Sequence, residues 1–121
     1  MEKTVAIIQA RLTSARFPSK IIQKFNHETL IEFLVRRVKA SKKIDQVVVA
    51  VPNNNKNKEI KKNLKNVDIF LGSENDVLDR YYKAAKKFNA KTIVRICGDC
   101  PFVDPVIIDK LLLLLNNGDY D

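Results

Sequence analysis

Tryptophan is absent from the sequence, histidine and methionine occur once each, cysteine twice and glycine three times. These shortages exclude several chemistries. His27 and the two cysteines together fall short of the roughly four ligands of a structural zinc site. His27 sits in an Asn26-His27-Glu28 turn with no carboxylate or nucleophile arranged around it, so it reads as a surface turn residue. Cys97 and Cys100 form a Cys-x-x-Cys, but a redox pair of that kind normally opens a helix after an early strand. Here the pair ends a late one, and Cys97 reads as a strand-end core residue. Neither Gly-x-Gly-x-x-Gly nor the P-loop pattern occurs, which argues against a dinucleotide-binding domain or a P-loop kinase. No apolar run approaches the roughly 20 residues that span a bilayer, so no membrane association is expected. The stretch Val5–Ile8 is too short for a signal peptide, which makes the expected location cytoplasmic and the thiols reduced.

What the sequence has in excess is positive charge. Lys and Arg number 22 against 14 Asp and Glu, a formal net charge of +8. Such a balance favours anionic partners, among them nucleotides, sugar phosphates and nucleic acid. Much of it lies in lysine-rich stretches, 56–65 and 83–87, that read as solvated helix faces. Nucleic-acid surfaces interleave basic with aromatic residues, and these stretches do not, so nucleic acid is not the expected partner.

Hydrophobic residues make up 45% of the 121 residues, enough for one globular domain over 1–121. Their periodicity predicts strands at Thr4–Gln9, Gln46–Val51, Val67–Leu71 and Thr92–Cys97. Helices are predicted at Thr29–Lys42, Lys56–Asn66, Asp76–Asn89 and Pro105–Asn117. The strands read as near-continuous Val/Ile runs, the pattern of strands buried on both faces, with the helices as crossovers. The expected fold is therefore α/β, a three-layer α/β/α arrangement around a mostly parallel sheet. Asp104 with Pro105 suits the start of the last helix and Gly118 its end. The run Leu111–Leu115 is apolar all round, so another surface is expected to cover it, and a homo-oligomer is one way to do so.

Two loops concentrate chemistry. The loop after the first strand, Gln9–Lys20, carries Arg11, Arg16 and Lys20 with Thr13, Ser14 and Ser19. In open α/β sheets ligands bind beyond the carboxyl ends of strands, where such cations can hold a triphosphate and offset charge developing on phosphorus. The loop after the fourth predicted strand carries Asp99 in Arg95-Ile96-Cys97-Gly98-Asp99-Cys100-Pro101. A carboxylate there suits Mg²⁺, which takes one or two carboxylates plus substrate phosphates. A third segment, Gly72-Ser73-Glu74-Asn75-Asp76, enters a helix whose first turn Asn75 or Ser73 could cap, and whose amide groups could meet a ligand. Tyr81 and Tyr82 inside that helix read as packing residues.

The segment Gln9-Ala10-Arg11-Leu12-Thr13-Ser14-Ala15-Arg16-Phe17-Pro18-Ser19-Lys20 resembles the Ala-Arg-x-Gly-Ser-x-Arg-x-Pro-x-Lys signature of sugar cytidylyltransferases, the acylneuraminate and 3-deoxy-manno-octulosonate enzymes. Residues 72–81 and 95–105 extend the resemblance across the chain and bring it nearest to the branch of spore-coat polysaccharide biosynthesis protein F. The resemblance implies a nucleotide-diphospho-sugar transferase fold, Rossmann-like, of which this chain would be the amino-terminal half. It implies CTP with Mg²⁺ as the bound nucleotide and transfer of CMP to a sugar acceptor, often an acidic one, for surface polysaccharide. By position, Arg16 and Lys20 would be catalytic. Ala10, Arg11, Ser14, Ser73, Asp76 and Arg80 would join them in binding nucleotide, and Asp99 would hold the metal. Thr13 stands where the signature has glycine, and Ser19 and Cys97 also depart from frequent family residues. The second half of such enzymes would bring the acceptor site, which makes a nucleotide-binding module without catalysis, or a glycosyltransferase-like subunit needing that second half, the alternative reading.

Overall fold

A computed structural model describes residues 3–10, 24–25, 27–53, 58–62, 64–73, 75–97 and 104–117; of 24, 25, 58, 59, 97, 116 and 117 it describes the backbone alone. The predicted cap Gly118 lies outside this set. The chain forms β1 (Thr4–Gln9), β2 (Lys24–Phe25), β3 (Glu28–Thr29), α1 (Leu30–Lys39), β4 (Gln46–Pro52), α2 (Lys58–Lys62), β5 (Asp68–Gly72), α3 (Val77–Lys87), β6 (Thr92–Cys97) and α4 (Pro105–Asn117). The main sheet has the order β5-β4-β1-β6, and every pairing in it is parallel.

Alternation along the strands sorts side chains onto two faces. Ala6, Ile8 and Ala10 of β1, with Val47, Val49 and Val51 of β4, pack under α1, α2 and α4 through residues such as Leu34, Ile60 and Ile108. Val5, Ile7, Val48 and Ala50 point the other way, against Tyr81, Ala84 and Ala85 of α3. The result is the three-layer α/β/α architecture. Each fully buried Val or Ile contributes about 1.5–3 kcal/mol, and β1 and β4 hold most of them.

Helix ends differ from the periodicity reading for local reasons. α1 starts one residue later because Thr29 is its N-cap: the Thr29 hydroxyl accepts from Glu32 N at 3.1 Å while Glu32 Oε1 accepts from Thr29 N at 3.1 Å. The helix stops at Lys39 rather than Lys42 because the next amides have a better acceptor. Lys42 N and Lys43 N each donate to the Asp109 carboxylate of α4 at 3.0 Å, and the Ser41 hydroxyl donates to it as well. α3 begins at Val77, with Asp76 as its cap. It ends at Lys87 because Asn89 takes φ 55°, with Asn89 N on Lys86 O and Ala90 N on Ala85 O, a Schellman closure. α2 is described over Lys58–Lys62, Leu64 and Lys65 lie outside the helix, and Asn66 at φ 59° turns the chain toward β5. β5 lies one residue later than predicted and β4 one residue longer, because Pro52 pairs with Gly72. The hairpin β2–β3 was not legible as strands; its turn holds His27, exposed at φ 71°. α4 keeps its predicted bounds, with Val106 N on the Asp104 carboxylate at 2.9 Å.

Tyr82 departs from its packing expectation: it is 62% exposed, whereas Tyr81 is buried. Among the described residues, no helix is long and apolar enough to cross a membrane.

Two outcomes follow for stability. Thr29→Ala removes the α1 capping box and lowers the unfolding free energy by about 1 kcal/mol in urea titration, while Thr29→Ser keeps most of it. The Asp109 carboxyl is held below its ordinary range, first by the Ser41 hydroxyl and then by the Lys42 amide, against the opposing effect of partial burial. A depressed carboxyl stabilises fully above its unfolded value of about 3.9 and loses that contribution as pH falls through the lower folded value. The melting-temperature gap between the parent and Asp109→Asn should therefore be present at neutral pH and close on acidification below that range.

Candidate functional site

Because the main sheet is parallel, the carboxyl ends of β1, β4, β5 and β6 share one rim. The chain runs from β1 outward through β4 to β5 on one side, then crosses to place β6 on β1's other side. Helices α1 and α2 of the first two crossovers lie on one face and α3 of the third on the other. The reversal between β1 and β6 is the switch point, where open α/β sheets form their ligand crevice.

The register at that crevice is explicit: Gln9, the last residue of β1, is opposite Cys97, the last of β6. Adjacent strands are about 4.8 Å apart. The loop expected to carry Arg11, Ser14, Arg16 and Lys20 and the loop expected to carry Asp99 thus spring from neighbouring roots. Those five residues lie outside the described residues. Ala10 is described: it is 1% exposed, and its N donates to Ala50 O at 3.0 Å, continuing the β1–β4 ladder one step past the strand.

The third segment lies two strands away from β1, at the end of β5. Ser73 Oγ accepts from Asp76 N at 3.2 Å, and the Asp76 carboxylate accepts from Asp79 N at 2.9 Å, which builds the entry to α3. Asp76 is exposed at the rim, but Arg80 is completely buried beneath it. Arg80 Nη1 donates to the Ser73 carbonyl, so this guanidinium braces the turn from below. Burying so strong a charge is costly without hydrogen bonds, which makes the brace specific to arginine. Gly72 makes room for it. A Cβ at position 72 would lie 2.8 Å from Arg80 Cγ and 2.7 Å from the Phe70 ring.

One positioning contact was not legible in the sequence. The buried Tyr81 hydroxyl donates to the Ile96 carbonyl at 3.2 Å, and the Arg95 guanidinium lies 4.4 Å from the centre of the Tyr81 ring. The first turn of α3 therefore ties the end of β5 to the end of β6, one residue before Cys97. The available signal was the spacing of Val77, Tyr81, Ala84 and Phe88 on one helix face, which placed Tyr81 on the sheet but not its hydroxyl on a carbonyl. Among the described residues, no three metal-ligating side chains come together.

Comparison with known proteins adds an independent line. A family model described as cytidylyltransferase matches residues 5–121. The chain is 42% identical to an uncharacterized protein of Methanocaldococcus jannaschii, with 98% of this chain and 50% of that protein covered. It is 33% identical to the spore coat polysaccharide biosynthesis protein SpsF of Bacillus subtilis over 93% of this chain and 49% of that protein. Its structure superposes on that of a cytidylyltransferase from Leptospira borgpetersenii with a TM-score of 0.87 at 40% identity, covering 97% of this chain and 50% of the other. The chain thus spans about half the length of the relatives it matches.

Gly72→Ala is expected to destabilise the fold by about 1–3 kcal/mol, the usual cost of overpacking, as read by denaturant unfolding. Arg80→Met in the same background should not recover that loss, because methionine keeps the Cγ that the new Cβ meets and gives up the brace on the Ser73 carbonyl.

Proposed function

The chain belongs to the cytidylyltransferase family, and from that premise we propose that it binds CTP with Mg²⁺ at the carboxyl rim between β1 and β6 and serves transfer of CMP to a sugar. In this reading the acceptor hydroxyl attacks the α-phosphorus of CTP, the bond between the α-phosphorus and the bridging oxygen breaks, and pyrophosphate leaves. Such a transfer asks a protein for positioning and charge neutralisation more than for covalent help. Arg16 and Lys20 offset the charge on the triphosphate and on the pentavalent phosphorus. Arg11, Ser14 and the Ala10 backbone seat the nucleotide. Asp99 would hold the metal, which would supply withdrawal of charge from the phosphates. Ser73 and Asp76 approach the base from the β5 side, with Arg80 holding their turn in shape.

The observation that carries the reading is the register pair Gln9 and Cys97 at the switch point. It supports bringing the basic loop and the Asp99 loop to one crevice, where a triphosphate and its counter-ion need opposite charges close together. The excess of positive charge in the sequence suits an acidic sugar as acceptor, and surface polysaccharide is the destination suggested by the SpsF relative. A second reading is nucleotide binding without transfer by these residues, which span about half of each relative.

Calorimetric titration with CTP, ATP, GTP and UTP in Mg²⁺ tests both. The expected outcome is selective CTP binding, weakened about ten-fold or more in Lys20→Ala, the loss of one charge-assisted contact of about 1.5–3 kcal/mol. Pyrophosphate release on adding a sugar acid supports the transfer reading, and binding without release supports the second. Equal binding of all four nucleotides, or of none, overturns the proposal.

A further inference from the structure

The main sheet has two edges, β5 and β6, and among the described residues each is paired on one side only. β1 and β4 have a ladder on either side, so their carboxyl ends are fixed twice over. The end of an edge strand has half that restraint. Both edge ends are nevertheless held, and by consecutive residues of one helix. Arg80 Nη1 donates to the carbonyl of Ser73, the residue after β5. The Tyr81 hydroxyl donates at 3.2 Å to the carbonyl of Ile96, one residue before the end of β6. With β4 and β1 between them, the two tied ends stand three strand spacings apart, roughly 14 Å.

Packing alone does not call for the hydroxyl. The Tyr81 ring lies in the core cluster with Val5, Ile7 and Ala84, where a phenylalanine ring would fill the same space. The Arg95 guanidinium, 4.4 Å from the ring centre, adds a cation–π contact that a phenylalanine would also keep. What the hydroxyl adds is direction, and its acceptor is a backbone atom of the strand. Held there, Ile96 sets the root of the loop that follows Cys97 and carries Asp99.

The nucleotide reading lays its ligand across this same span, the base beside the turn at the end of β5 and the triphosphate between β1 and β6. A ligand that touches both ends of a rim depends on the distance between them as well as on each contact. A distance fixed beforehand spares the ligand the cost of fixing it on binding. We propose that Tyr81 is a positioning residue for the nucleotide. Through the Ile96 carbonyl its hydroxyl holds the β6 side of the rim at the separation from the base-side turn that a nucleoside triphosphate spans. Tyr81 acts through the strand, not by contact with the ligand, and it gives the site its preference for triphosphate over monophosphate. This role rests on the CTP reading.

Tyr81→Phe keeps the ring and removes the tie. Calorimetric titration of parent and variant with CTP and with CMP in Mg²⁺ should show CTP affinity lower by about ten-fold or more, since a misplacement of about 1 Å costs about 100-fold. CMP reaches only part of the span, and its affinity should change by less than about two-fold. Without nucleotide, amide exchange at residues 96 and 97 should quicken in the variant while β1 stays protected. Asp109→Asn controls for stability alone: its contacts lie where α1 turns toward β4, at the amino ends of the strands, and it should bind CTP like the parent. Equal CTP affinity in parent and Tyr81→Phe overturns the inference and leaves the CTP reading standing. An equal fall for CTP and CMP also overturns it, as general damage to the fold, and so does the same fall in Asp109→Asn. A parent that binds no CTP overturns the CTP reading and this inference with it.

Discussion

β1 is hydrogen-bonded to β4 on one side and to β6 on the other, and its side chains from Val5 through Ile8 are excluded from water on both faces. Among the described strands only β4 is held in the same way, between β1 and β5. A one-residue slip of β1 would exchange Val5 and Ile7 with Ala6 and Ile8, swapping the sets that fit α3 and α1. Its register is therefore fixed twice, by the ladders and by two cores of different shape. The position of Gln9 beside Cys97 is inherited from that double constraint. The site's geometry is a consequence of packing at the opposite end of the same strand, where Asp45 N donates to Thr4 O and Lys91 N to Lys3 O.

α3 extends this rigidity around the rim. Among the described residues it is the one helix on its face, and it joins the end of β5 to the end of β6 through two polar contacts at least partly buried, Arg80 on the Ser73 carbonyl and Tyr81 on the Ile96 carbonyl. Buried polar contacts of this kind are modest as net stabilisers but costly to break, because either partner alone is left desolvated. They specify where the turn and the strand end sit more than they strengthen the fold. A binding rim made of loops needs that kind of specification, since loops have few apolar contacts to define their roots.

The architecture was legible because it rests on period and burial. Val/Ile runs gave the parallel strands, and the amphipathic segments gave the crossovers. Hydrogen bonds between distant residues were not legible. Asp109 reads as a solvent-facing charge on an apolar helix, yet it ends α1 some 66–68 residues earlier in the chain. Arg80 reads as a cation facing a ligand pocket, yet it is buried beneath the turn. Both side chains are long or branched enough to reach partners that periodicity cannot name. The hairpin at β2–β3 escaped because strands of two residues carry no period at all. For the candidate site, the order of motifs located the rim, and the register was needed to show which two loops are neighbours.

The placement of the switch point bears on what such a domain can do unaided. The crevice lies between β1 and β6, so both loops that border it belong to strands already paired with each other. Covering the far edge of β6 adds nothing to that pairing. A ligand held between the β1 and β6 loops therefore needs only the ordered sheet described here, whereas a second ligand approaching from beyond β6 needs whatever occupies the open edge. The two approaches lie on opposite sides of one strand, β6, whose carboxyl end is held by the Tyr81 hydroxyl.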